Sequence, residues 1–320
     1  MSKKIAVLTS GGDAPGMNAC VRAIVKYADK KGVEVYGVRY GYRGLCDGNL
    51  FKMERKDVAD IINIGGTFLG TARFDEFRES EVQDKAVEVL KAHGIDTLIA
   101  IGGDGTYRGA YSLHLKGIHC IGVPATIDND VIGTDYCIGF HTALQTITDA
   151  LEKIRDTSRS HHRCTLVEVM GNQCGDLAIY ASICGGAEMA ITKDTGYDID
   201  EVIDNVNYYG NVLHKNHAII VVSEKIADIN ELAAEITKRT DYTGKTIVLS
   251  YIQRGGNPVP FDRILSTGLG VLAVDCALNN ESGICLGIQN DSYVKTPIEI
   301  AGKEKRKSRD YLYDAFYKTI

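Results

Sequence analysis

Short apolar runs alternate with amphipathic stretches along almost the whole chain. Residues 5–8, 33–40, 97–101, 120–123, 164–169, 217–222, 245–252 and 284–288 read as strands, several apolar enough to be buried on both faces. Between them, 18–31, 57–63, 80–93, 107–116, 140–158, 175–184, 230–239 and 261–278 read as helices, and 308–320 as a closing helix. In 140–158 the apolar face is carried by Ala143, Ile147, Ala150, Leu151 and Ile154. Asn18 reads as the cap of the first helix and Gly32 as its stop. The alternation predicts an α/β protein with mostly parallel sheets. At 320 residues the chain is long enough for two such bodies, and no linker, repeat or low-complexity segment separates them.

Polar islands at the ends of two neighbouring strands carry the chemistry. The first, Gly102-Gly103-Asp104-Gly105-Thr106, sets three glycines around one carboxylate, so that backbone N–H groups approach a polyphosphate while Asp104 faces its metal. The second, Thr126-Ile127-Asp128-Asn129-Asp130, has aspartates two apart, which on an extended backbone point to one side. A metal carboxylate in one loop and a candidate base in the next suggest phosphoryl transfer from a nucleotide to a hydroxyl. Two further loops, 9–18 after the first strand and 64–74 with Arg73 near its end, have the same glycine-rich character, although each alone is also what an ordinary turn looks like.

A net charge of −6 and a pI near 5.8 argue against nucleic acid as the main partner. Nine cysteines without a C-x-x-C pair read as reduced, mostly buried thiols of a cytoplasmic protein. The start, Met1-Ser2-Lys3-Lys4-Ile5, leads straight into a strand without a signal segment, and no apolar stretch approaches the ~20 residues that span a bilayer. The eight histidines lack zinc spacing, and no G-x-S-x-G elbow occurs.

Taken together, the blocks Gly11 to Asn18, Gly65-Gly66-Thr67 with Ala72-Arg73-Phe74, Gly102 to Gly105, Thr126 to Asp130 and Ile252-Gln253-Arg254-Gly255-Gly256 resemble the bacterial 6-phosphofructokinases (the type A family). The similarity runs in order over essentially the whole chain. The glycine-aspartate block alone also resembles NAD kinases and diacylglycerol kinases, and the block from Thr126 to Asp130 separates them.

The resemblance implies two α/β domains of similar topology with mostly parallel sheets flanked by helices. They would be a larger nucleotide domain, 1–138 plus 252–304, and a smaller sugar-phosphate domain, 139–251 plus 305–320. Gly12, Arg73, Phe74, Gly103, Asp104, Gly105 and Thr106 would hold ATP, with Asp104 on Mg²⁺. Asp128 would take the proton of the 1-hydroxyl of fructose 6-phosphate, helped by Thr126, Asp130 and Arg73. The sugar would also meet Ile127, Met170, Gly171, Asn172, Glu224, Lys245 and Tyr251, with Arg163 and Arg254 on its phosphate. The family supplies some of these from a neighbouring subunit, which implies a homo-oligomer, by analogy a tetramer. Arg22, Lys26, Arg55, Arg155, Glu188 and Lys215 match its effector site for ADP or phosphoenolpyruvate.

Pyrophosphate-using relatives carry a second Asp after Gly-Gly-Asp and a Lys before Thr-Ile-Asp. Gly105 and Ala125 stand there in this chain, which favours ATP. Asn172, Lys245 and Tyr251 replace the family's two arginines and a histidine on the acceptor side. The alternatives are therefore a kinase of the same fold for another ketose phosphate or with pyrophosphate as donor, or a catalytically weak paralogue that senses nucleotide and sugar phosphate.

Overall fold

The computed structural model describes residues 3–302 and 308–320. In chain order the strands and helices are β1 (Lys4–Thr9), α1 (Met17–Lys30), β2 (Glu34–Val38), α2 (Gly41–Cys46), β3 (Leu50–Met53), α3 (Ser80–Ala92), β4 (Thr97–Gly102), α4 (Asp104–Leu115), β5 (His119–Pro124), α5 (Phe140–Ser160), β6 (Arg163–Val169), α6 (Asp176–Gly185), β7 (Met189–Ile191), α7 (Ile199–Asn211), β8 (Ala218–Ser223), α8 (Ile229–Arg239), β9 (Thr243–Val248), α9 (Pro260–Leu278), β10 (Ile284–Gln289), β11 (Ser292–Pro297), α10 (Ile298–Ala301) and α11 (Asp310–Tyr317).

The chain divides into two compact units, Met1–Thr142 with Arg254–Arg306, and Ala143–Gln253 with Lys307–Ile320. The first division falls in the opening turn of α5; the boundary expected at 304/305, like Met1 and Ser2, lies outside the described residues. The first unit holds a seven-stranded sheet in the order β11-β10-β5-β4-β1-β2-β3, parallel except for its two antiparallel edges. Its central strands are fully buried (Ile5 to Leu8 and Leu98 to Ile101), as crossover helices on both faces require. The second unit holds a wholly parallel four-stranded sheet, β7-β8-β6-β9. Its core is built on Cys164, Leu166, Ile220 and Val222 against Leu232 and Ile236 of α8.

Several expected elements change. Residues 57–63 do not form a helix. Glu54 and Asp57 close a reciprocal capping box around a single 3₁₀ turn, Arg55–Val58, and only Val58 of the turn is buried. The strand expected over 245–252 stops at Val248, because Ser250 takes a left-handed φ of 48° and starts the 3₁₀ turn Ser250–Arg254. Gln253 is buried there and holds the turn, donating to the Ser250 carbonyl and accepting from the Met170 N–H. Asn18 is not a cap either: α1 starts one residue earlier, after left-handed Gly16.

Candidate active site

In the first unit the glycine-rich turns meet at the carboxyl ends of β1, β4 and β5 and in the turn before α9. Asn18, buried in the first turn of α1, ties two of them together. Its Nδ2 donates to the carbonyls of Ile64 (3.0 Å) and Gly65 (3.2 Å), and its Oδ1 accepts from the Phe68 N–H at 2.6 Å. Thr71 donates to the Gly11 carbonyl at 2.8 Å, which anchors the segment carrying Arg73 and Phe74. Thr106 donates to the Ser10 carbonyl at 3.0 Å, and Tyr42 in turn donates to the Thr106 carbonyl at 2.6 Å. Two glycines are set by close backbone approach. A Cβ on Gly65 would stand 2.2 Å from the Gly256 carbonyl oxygen, and one on Gly102 2.4 Å from that of Ser10. Gly12 lies under Arg254, whose Cζ would be 3.2 Å from a Cβ there. The residues expected on ATP and one expected on the acceptor's phosphate therefore share one surface.

The loops after β4 and β5 are joined directly. The Ala125 N–H donates to the Gly102 carbonyl at 3.0 Å, and a Cβ on Gly103 would lie 3.7 Å from Thr126 Cβ. Thr126, Asp128 and Asp130 are partly exposed while Ile127 and Asn129 are buried, so the carboxylates share a side. The backbone is not extended, however. Asn129 is left-handed (φ 55°), and the Asp128 N–H donates to Thr126 Oγ1 at 3.2 Å. Asn129 clamps the loop from inside, donating to the Asp135 carbonyl (3.2 Å) and accepting from the Cys137 N–H (2.8 Å). An asparagine between two aspartates was the visible sign of that role.

Asp104 is the first residue of α4, three residues ahead of the expected helix start, and its side chain is half exposed. Its Oδ1 accepts from the Gly105 N–H at 2.5 Å, and its Oδ2 pairs with Arg108 at 2.7 Å, a partner the motif did not reveal. Among the described residues no three His, Cys, Asp or Glu side chains cluster as a metal cage. A single accessible carboxylate beside a phosphate turn fits a hard cation that takes its other ligands from water and substrate phosphates. Arg73 is exposed, and Phe74 rests against the core beside Phe77.

In the second unit Met170, Glu224 and Tyr251 line a cavity of about 120 Å³ with Glu168, Val248 and Ser250. The Asn172 N–H donates to Glu224 at 3.1 Å, and Gly171 makes the intervening turn with φ 148°. Burial, reinforced by the charge of Glu224, pushes the Glu168 carboxyl up. Arg163 and Lys245 are not part of this group. Arg163 opens β6 and Met170 follows its end, a separation of about 20 Å at ~3.3 Å per residue. Lys245 pairs with Thr165 on the adjacent strand, and by strand alternation both it and Arg163 face away from the side of Glu168 and Val248.

The effector-matched residues divide between the units. Arg22 and Lys26 lie one turn apart on α1, and Arg55 pairs with Asp29 at 3.3 Å. Glu188 and Lys215 help line a cavity of about 250 Å³. Glu188 contacts Lys215, accepts from the Ile219 N–H at 2.6 Å and lies 4.0 Å from Arg155, which donates to the Gly186 carbonyl at 2.8 Å.

Glycine-lined turns at the ends of adjacent parallel strands, two of them bearing carboxylates, put the chain among the α/β proteins that handle nucleotide phosphates. The sequence profile described as Phosphofructokinase matches residues 4–277. The chain is 51% identical over 314 residues to the ATP-dependent 6-phosphofructokinase of Vibrio campbellii, covering 98% of each, and 49% identical over 315 residues to that of Photobacterium profundum, again 98% of each. Among solved structures it superposes on phosphofructokinase from Saccharomyces cerevisiae with a TM-score of 0.92 and 32% identity, over 99% of this chain and 50% of the yeast chain, so it spans half of that relative's length. A pyrophosphate-dependent phosphofructokinase from Marinobacter aquaeolei shares the fold, with a TM-score of 0.87 at 21% identity over 97% of this chain and 86% of that one. This chain belongs to the phosphofructokinase family.

Proposed function

We propose that the chain transfers the γ-phosphoryl group of ATP to the 1-hydroxyl of fructose 6-phosphate, giving fructose 1,6-bisphosphate and ADP in glycolysis. The observation that carries this reading is the direct junction of the Asp104 and Asp128 loops at the ends of β4 and β5, beside the glycine turns that Arg254 overlies. The turns at Gly12 and at Gly103 to Thr106 receive the nucleotide's phosphates on backbone N–H groups, with Arg73 and Phe74 on the donor as well. Asp104 would hold Mg²⁺, which when bound neutralises charge on the donor phosphates. The Asp128 carboxylate accepts the hydroxyl proton as the sugar oxygen forms its bond to the γ-phosphorus. The bond from that phosphorus to the bridging oxygen breaks, and ADP leaves with its electron pair. Thr126 and Asp130 position the acceptor, and Arg73 steadies charge on the transferred group. An aspartate with a reference pKa of about 3.9 suffices because the transition state is loose and the proton moves late.

Gly105 leaves open space at the donor loop, its nearest prospective neighbour being Arg108 at 3.6 Å, and Ala125 is buried where a lysine would bring a charge; both favour a nucleotide over pyrophosphate. On the acceptor, Ile127, Met170, Gly171, Asn172, Glu224 and Tyr251 would meet the sugar, and Arg163, Lys245 and Arg254 its phosphate. Because Arg163 and Lys245 lie away from Met170 and Glu224, we assign those two to the site of a second copy in a homo-oligomer, by analogy a tetramer. The cavity at Glu188 and Lys215, with Arg155 beside Glu188, would contribute to an effector site for ADP or phosphoenolpyruvate between subunits, to which Arg22, Lys26 and Arg55 would also contribute. All nine cysteines are free thiols, as suits a reducing compartment such as the cytoplasm; no helix of the described residues is long and apolar enough to cross a membrane.

The test is the initial rate of phosphoryl transfer from Mg·ATP to fructose 6-phosphate, run beside other ketose phosphates and Asp128→Asn. Turnover on fructose 6-phosphate that falls by about 10²–10⁴ in the variant is expected. Preference for another ketose phosphate would reassign the acceptor, and nucleotide binding without turnover on any acceptor would make the protein a sensor.

A further inference from the structure

The cavity in the second unit presents a problem of charge. Two of its seven lining residues, Glu168 and Glu224, carry carboxylates, and the neighbouring Asn172 is neutral. A phosphorylated sugar brings close to two negative charges of its own near neutral pH. No residue lining the cavity is a cation, and Arg163 and Lys245 stand toward the other end of β6, so the two carboxylates are not offset by the lining itself.

Lys225 supplies a cation. It follows Glu224 in the turn after β8, and its ammonium lies 3.8 Å from Glu224 Oε1 and 3.5 Å from Asn172 Oδ1. Its side chain stays 60% exposed, so the charge is presented to an incoming ligand rather than consumed inside the fold. The backbone gives a second, independent reason. Lys225 is left-handed, with φ 65°, a conformation in which glycine or asparagine is the low-strain residue. Asn172 beside it, also left-handed at φ 50°, follows that rule, and Lys225 does not. Nothing in the turn itself calls for a lysine there; its ammonium does.

We infer that Lys225 is an acceptor-binding residue: it holds Glu224 and Asn172 in place for the sugar's hydroxyls and contributes positive charge toward its anionic group. This rests on the sugar-phosphate kinase reading and adds a specificity residue to it. Charge at this corner of the pocket is thus carried by residue 225, not by residue 172.

The experiment compares wild type, Lys225→Asn, the double variant Lys225→Asn with Asn172→Arg, and Lys238→Met as a control that removes a surface charge from α8. Asparagine tolerates the left-handed backbone, so the thermal midpoint of Lys225→Asn is expected at or above that of wild type. Its KM for fructose 6-phosphate is expected to rise roughly tenfold, the loss of one charge-assisted contact, with kcat falling less than threefold and the KM for ATP unmoved. Returning a cation at 172 in the double variant is expected to recover most of the tenfold, and the control is expected to change neither KM. A fructose 6-phosphate KM within twofold of wild type in Lys225→Asn overturns the inference, as does a parallel rise in both KM values. Wild type that fails to use fructose 6-phosphate or any other sugar phosphate overturns the functional reading, and this inference with it.

Discussion

Asp104 has both carboxylate oxygens engaged before any ligand arrives, one by the Gly105 N–H and one by Arg108. The two contacts differ in kind. The first belongs to the start of α4 and persists as long as the helix does. The second is an exposed i, i+4 ion pair with side chains 58% and 50% accessible, worth no more than about 1 kcal/mol. A cation bound to Asp104 must displace or share Arg108 against that small energy. Arg108→Met is therefore expected to lower the Mg²⁺ concentration for half-maximal rate by roughly two- to fivefold, measured by Mg²⁺ titration at fixed ATP. An unchanged or higher requirement would mean that Arg108 orients the carboxylate instead of competing for it. At this scale the site was readable wherever a residue type declares its chemistry. The glycines, Asp104 and Asp128 stand out in the sequence because few other residues serve in a phosphate turn. Asn18 did not, because its role depends on which distant segment folds against it, and Arg108 did not, because its pairing one turn along α4 depends on where that helix starts. Asn18 reaches Ile64 and Phe68, 46 and 50 positions away, and no local pattern encodes such a contact.

At the scale of elements, α5 begins where three donors converge on one side chain from another helix. Asp262, fully buried near the start of α9, accepts from the Gly139 N–H (3.0 Å), the Thr142 N–H (2.8 Å) and the Thr142 hydroxyl (2.6 Å). It caps α5 from outside, a job the residue preceding a helix more often does for itself. Burial raises its carboxyl from 3.8 to about 6 even against those donors. A folded-state pKa above the unfolded value means that the folded protein binds the proton more tightly. The group's stabilisation is then fully present below about pH 4 and lost as pH rises through 6. Relative to Asp262→Asn, wild type is expected to gain about 1 kcal/mol of unfolding free energy between pH 7 and pH 5, read from urea titrations at both values. Parallel pH profiles would refute it. The same long-range logic explains which elements the hydrophobic pattern reveals. Strands β1, β4, β5 and β8 are apolar through their middles because helices cover both faces, so their runs are unmistakable. The antiparallel edge strand β11, with its polar, mostly exposed sequence, has no such signature, and β7 is only three residues long. Helix α7 has an apolar face of Val202, Ile203, Val206 and Tyr209 and an aspartate cap at Asp198, both of which the sequence carries as local signals.

At the scale of the whole molecule, the second unit separates the residues proposed to meet the acceptor into two groups. Arg163 begins β6 and Lys245 lies beside Thr165, whereas Met170, Asn172 and Glu224 gather past the strand's far end. A strand is stiff, so the distance of about 20 Å between Arg163 and Met170 is not closed by any side-chain rotation. If these residues act on one sugar phosphate, the phosphate-gripping pair must come from another copy, and each active site is shared. Symmetric assemblies make that arrangement self-consistent, since every chain lends the pair and receives it. Sharing has a signature that stability or binding measurements on a single chain would miss. Arg163→Ala and Asp128→Asn are each expected to be nearly inactive on fructose 6-phosphate. Dissociated together and reassembled at equal amounts, half of the sites keep Asp128, and half of those are lent an intact Arg163. About a quarter of wild-type activity should therefore return, by the random pairing of two chain types in a closed oligomer. Each variant taken alone through the same cycle should recover none. Recovery absent from the mixture, with reassembly verified by sedimentation, would place the whole acceptor site within one chain and remove Arg163 from it.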